Sequence, residues 1–184
     1  MSYDSRAPTS QLKKLDLYGY NPQHITELLK KKNNSIWVGK VKRLELKSYA
    51  VGILPKLKLH EENVMEEIVL DACRPEHITE LRKTENKSIW IRKTKKLELR
   101  GYAVGILPKL RIHGENVMEK LILGACHPEY LTEALITKDK SIWIGKVKEV
   151  RLEGLAKEIE NKLDFTLIEP DVKPPLSLRL RTSS

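Results

Sequence analysis

Aromatic residues are scarce in this chain. Phe, Tyr and Trp together make up 5% of its 184 residues, and there is a single phenylalanine. A core of ordinary domain size must therefore be built from Leu, Ile and Val. There is no run of about 18 apolar residues, so no membrane-spanning helix is expected. The opening "MSYDSRAPTSQLKK" has no apolar h-region of a secretion signal, and a soluble, cytoplasmic protein is the expectation. Gly-rich phosphate loops are missing, since "AVGILPK" does not carry the P-loop pattern. The five histidines do not cluster at ligand spacing: His24 and His77 are copies of one position, His60 and His113 of another, and His127 stands alone beside Cys126. Ser35, Ser88 and Ser141 have no surrounding nucleophile motif. These absences point away from an enzyme, from a cofactor and from a metal site.

Basic charge is in excess. The net charge is +9 and the pI about 9.4, which opens the way to an acidic partner without identifying one. The excess concentrates in Lys30–Lys32, Gly39–Arg43, Arg92–Lys96 and Arg179–Arg181.

The dominant feature is repetition. Residues 21–73 and 74–126 align without a gap as two 53-residue blocks, and a partial third copy runs over 127–155. Each block contains a finer repeat. Apolar residues two apart recur at Leu15/Leu17, Leu44/Leu46, Ile68/Leu70, Leu97/Leu99, Leu121/Leu123 and Val150/Leu152, with starts alternately 29 and 24 residues apart. Period two marks a strand with one buried face. One short strand per unit cannot bury itself, so the units must stack into a solenoid.

Met65-x-x-Ile68-x-Leu70-x-x-Cys73 and Met118-x-x-Leu121-x-Leu123-x-x-Cys126 carry a specific resemblance. Their pattern is similar to that of the leucine-rich repeat family, in its cysteine-bearing, ribonuclease-inhibitor-like class. Val41-x-x-Leu44-x-Leu46 fits up to Tyr49, which takes the Asn/Cys place. The resemblance implies an α/β leucine-rich-repeat solenoid. A parallel concave sheet of about six or seven short strands would face a helical and irregular convex side. Residues 12–170 would form the solenoid, 1–11 a polar cap or tail, and 171–184 a last strand near Leu176–Leu180 with a basic tail. Tyr20, Tyr49, Tyr102 and Leu155 depart from the pattern where a small polar side chain normally bonds the next turn, and Thr94 replaces an apolar residue. Asn21 is a candidate helix cap with Pro22 in the first turn, whereas Pro55 and Pro108 forbid a long helix in the short units.

In such a solenoid the resemblance implies protein recognition by residues between the strand leucines. They carry seven basic and seven acidic side chains, with opposite charges adjacent across strands. The candidate contacts are Tyr18, Glu45, Lys47, Val69, Asp71, Glu98, Arg100 and Ile122, with Val69 and Ile122 as the apolar spots. The rival reading is an anionic ligand, nucleic acid or acidic membrane, on a basic edge. A third is end-to-end self-association within a longer array. Cys73 and Cys126 lie two strands apart, about 10 Å, too far for a disulfide; they are expected as free, buried thiols. Trp37, Trp90 and Trp143 recur in "SIWVGK", "SIWIRK" and "SIWIGK". They are expected to pack over the thinner wall of the neighbouring short units rather than to form a stacking stripe.

Overall fold

The computed structural model describes residues 12–169. Six parallel strands form the main sheet: β1 (Leu12–Gly19), β3 (Val41–Ser48), β5 (Val64–Ala72), β6 (Ile89–Gly101), β8 (Val117–Ala125) and β9 (Ile142–Gly154). The register brings Leu15, Leu44, Ile68, Leu97, Leu121 and Val150 side by side. This is the alternating 29/24 spacing of the sequence realised as one α/β repeat solenoid. The leucines two apart point into a common core, and from Leu44 to Leu123 they have no exposed surface. Leu15, Leu17, Val150 and Leu152 are only half-buried, because each belongs to a strand at one end of this row.

Between strands the long units begin with one turn of 3-10 helix and one of α-helix. The helical turns are α1 (Thr26–Leu29), α2 (Thr79–Arg82) and α3 (Thr132–Leu135). The Asn21 side chain accepts a hydrogen bond from the Gln23 N–H at 3.0 Å, as its capping role requires, whereas Arg74 and His127 make no side-chain cap. The short units run instead through eight residues of 3-10 helix, Tyr49–Lys56 and Tyr102–Lys109, that hold Pro55 and Pro108. Strand and 3-10 segment meet at a left-handed residue. Gly101 and Gly154 both have φ +61°, and a Cβ at either would fall on the carbonyl oxygen of Ala72 or Ala125 in the preceding coil.

A second wall lies ahead of the main strands. There β2 (Ile36–Gly39) pairs with β4 (Leu57–Leu59), the start of β6 with β7 (Leu110–Ile112), and the start of β9 with β10 (Leu163–Leu167). Each pair joins a long unit to the short unit that follows it. Because β6 and β9 run on into the main strands, β7 and β10 belong to the same eight-stranded sheet as those strands, whereas β2 and β4 form a separate two-stranded sheet. The strand expected at Leu176–Leu180 and the polar cap at 1–11 lie outside the described residues.

The cysteines are free, as expected, but Cys73 and Cys126 are both exposed rather than buried. Strand alternation explains the difference: Ile68, Leu70 and Ala72 turn inward, so residue 73 turns out. The polar ladder sits elsewhere. Asn63 and Asn116 are buried, and their Oδ1 atoms accept from the backbone N–H of Val41 and Thr94 in the preceding coil, each at 2.9 Å. Thr94 is tolerated inside because its hydroxyl donates to the Lys96 carbonyl at 2.9 Å.

Candidate partner-binding surfaces

The exposed face of the main sheet pairs with itself. Register places Arg43, Glu67 and Lys96 in one column and Lys47, Asp71 and Arg100 in another. Arg43 bridges Glu45 and Glu67 at 3.3 and 3.0 Å, Lys96 bridges Glu67 and Glu98 at 2.7 and 2.9 Å, and Arg100 bridges Glu98 and Glu153 at 2.5 and 3.0 Å. Lys47 meets Glu45 at 2.6 Å and stands over the Tyr18 ring, whose hydroxyl donates to the same carboxylate. The electrostatics follow the geometry. The hydrogen bond from Lys47 holds the Glu45 carboxyl below its ordinary value. At Glu98 burial pulls upward, but the hydrogen bonds from Lys96 and Arg100 prevail and the carboxyl is held down.

Under this network Val69 and Ile122 are buried, with 8% and 5% of their surface exposed. They occupy the sheet face as expected, but they are not available as apolar contact spots. Each is flanked in register by charged neighbours, Glu45 and Glu98 for Val69, Glu98 and Arg151 for Ile122, and long charged side chains cover apolar surface with their stems. Of the eight candidate contacts, Glu45 is buried as well, Tyr18 is exposed, and Lys47, Asp71, Glu98 and Arg100 are half-buried.

The second wall is different in every respect. Its strands turn Ile36 and Val38, Ile89 and Ile91, Ile142 and Ile144 toward the core, and alternation sends the indoles outward. Trp37 is 61% exposed, Trp90 is 38% exposed, and Trp143 is half-buried. The expectation that the tryptophans seal a thin wall is therefore corrected at Trp37 and Trp90, which stand on the surface while two aliphatic side chains per strand do the sealing; Trp143 alone is half-buried and packs against the core. Cations accompany them. Lys58 lies 5.8 Å from the Trp37 ring centre, and Arg111 and Arg92 lie 3.8 and 5.7 Å from that of Trp90.

Charge separates the two walls. The three Trp-bearing stretches 30–42, 83–95 and 136–148 hold fourteen basic and two acidic residues, against the even balance of the main sheet. Some of these cations have local acids outside the stretches: Lys40 meets Glu62 and Lys42 meets Glu66, both at 3.4 Å, Lys93 meets Glu115 at 2.9 Å, and Lys30 and Lys83 meet Glu27 and Glu80, both at 2.7 Å. Such exposed pairs are worth little in energy, and with these five acids added to the two already counted the fourteen basic residues still outnumber seven acidic ones. The sequence carried the signal for this surface in the spacing of its lysines around each SIW, but not the direction in which the indoles point.

Among the described residues no group of three or more His, Cys, Asp or Glu side chains is placed to hold a metal ion, and no helix is long and apolar enough to cross a membrane. The chain matches no protein-family model, and no curated protein or solved structure is significantly similar to it.

Proposed function

We propose that this chain is a non-catalytic scaffold of the leucine-rich-repeat kind that binds an acidic protein partner through its second wall. The observation that carries the reading is the contrast between the walls: a sheet face whose charges are spent on one another, and a wall where exposed indoles stand in net basic surroundings. Aromatic and Arg side chains together are the residues most often dominant at protein interfaces, and a one-signed surface steers an oppositely charged partner. Nucleic acid is the weaker alternative. Base stacking needs an open aromatic face, and the Trp90 face already carries Arg111.

Polyglutamate, heparin and oligothymidylate offered to the full chain at physiological salt test the reading. Saturable binding of polyglutamate that weakens about tenfold or more in a Lys58→Glu, Arg111→Glu, Lys140→Glu variant supports it. All three side chains are exposed, so folding is spared. Preference for oligothymidylate with a steep salt dependence favours the alternative.

A further inference from the structure

The second wall is not uniform. Where the block ending at Cys126 meets the third copy, a cleft of about 270 Å³ opens between β7 and the start of β9. Leu110, Ile112 and Ile142 line it, each with a few per cent of its surface exposed, and Trp90 and Trp143 are among its walls. Lys87 and Arg111, both exposed, supply its charge. One block earlier a cavity of about 20 Å³ lies against the counterparts Leu57, Ile89 and Trp90, without reaching Trp37, Lys58 or Leu59.

Two sequence differences accompany the opening. Trp143 is followed by Gly145, at φ +84°, and its ring lies back against that glycine: a Cβ there would come within 2.9 Å of Cζ2 and Cη2. Trp90 is followed by Arg92 at the same turn and stands out beside Arg111. Gly114, with nothing within 4 Å of where its Cβ would be, also lines the cleft; the first block has Glu61 at that place.

The volume falls just short of the roughly 300–1,000 Å³ of small-molecule sites. An apolar floor beneath two cations takes an apolar group with acidic neighbours. The chain's own C-terminal stretch, residues 170–184, carries Lys173, Arg179 and Arg181 against Asp171 and has the wrong charge. We propose that this cleft receives one bulky apolar side chain, such as phenylalanine, projecting from an acidic segment of a partner protein. The proposal rests on the reading of the second wall as the surface for an acidic partner and adds what anchors that partner.

Two short peptides of aspartate and glutamate, identical except for a central phenylalanine or serine, separate the two claims. Binding to the full chain is followed by calorimetry and by tryptophan emission, since Trp90 and Trp143 both line the cleft. The phenylalanine peptide is expected to bind about tenfold tighter or more and to shift the emission. Gly114→Glu, which copies the first block at an open position, is expected to abolish that preference, and Trp90→Ala to reduce it. Equal binding of the two peptides overturns the cleft while leaving the acidic-partner reading standing. Binding of neither overturns both. Displacement of the phenylalanine peptide by oligothymidylate at lower concentration replaces the protein partner with a nucleic acid and also overturns the proposal.

Discussion

Asn63 and Asn116 hold neighbouring coils together at single atoms. Each side-chain carbonyl oxygen accepts the N–H of a residue in the preceding coil, Val41 at the start of β3 or Thr94 within β6, and both of those residues are buried. Alanine at either asparagine strands a buried donor, and urea unfolding is expected to show a loss of about 1–3 kcal/mol. His77 has a different sensitivity. It packs against Tyr49 with ring centres 4.5 Å apart and lies 4.0 Å from the Cys73 sulfur. Burial, with Arg74 beside it, lowers its pKa against the opposing pull of Glu76 and Asp71. Between that lowered value and the unfolded value of about 6.5, the unfolded chain binds a proton that the folded one does not. Stability from this group is therefore complete above about pH 6.5 and falls as the pH drops below it. The third copy has Tyr130 at this position, tilted by 60° against Tyr102 with centres 4.5 Å apart. His77→Tyr is expected to keep the packing and flatten the decline, seen as denaturation midpoints measured between pH 5 and 8.

At the scale of elements, the turn from main strand to 3-10 segment recurs with one exception. Gly101 and Gly154 adopt φ near +60°, and Ser48 holds the same place with φ +56°. A non-glycine residue there stores strain. Ser48→Gly is expected to stabilise the chain by about 1 kcal/mol, and an unchanged or lowered denaturation midpoint contradicts it. The main strands were legible in the sequence because period-two leucines at 29 and 24 residues leave one sheet register. The short-unit 3-10 segments were legible from Pro55 and Pro108. The second-wall strands were half-legible: "SIWVGK" reads as extended, but a large aromatic in a leucine-rich chain reads as core. The facing was decided by numbers, two inward aliphatics against one indole. The burial of Val69 and Ile122 was hidden for the converse reason, since it depends on which neighbouring side chains lean over them. Cys73 was misread inward because the resemblance fixes a place in the pattern, whereas Ala72 takes the inward position in this chain.

For the whole molecule, stacked blocks imply that one can be removed. Residues 74–126 begin and end at the same point of the repeat, so their deletion brings His127 next to Cys73, where Arg74 stood. Stability in such arrays is close to a sum over units and their neighbours. The shortened chain is expected to unfold in one transition with a urea m-value lower by roughly a third; a chain without a cooperative transition contradicts equivalent blocks. Binding is likewise a property of the assembled walls, because neither the charge excess nor the indoles belong to a single unit. Lysine acetylation read by mass spectrometry, on the full chain with and without saturating polyglutamate, separates the two walls most directly. Lys58, Lys87, Lys138, Lys140 and Lys146 are predicted to be shielded while Lys47, Lys96 and Lys120 keep their reactivity. Shielding of Lys47, Lys96 and Lys120 with the second-wall lysines unchanged would place the partner on the main sheet and contradict the account.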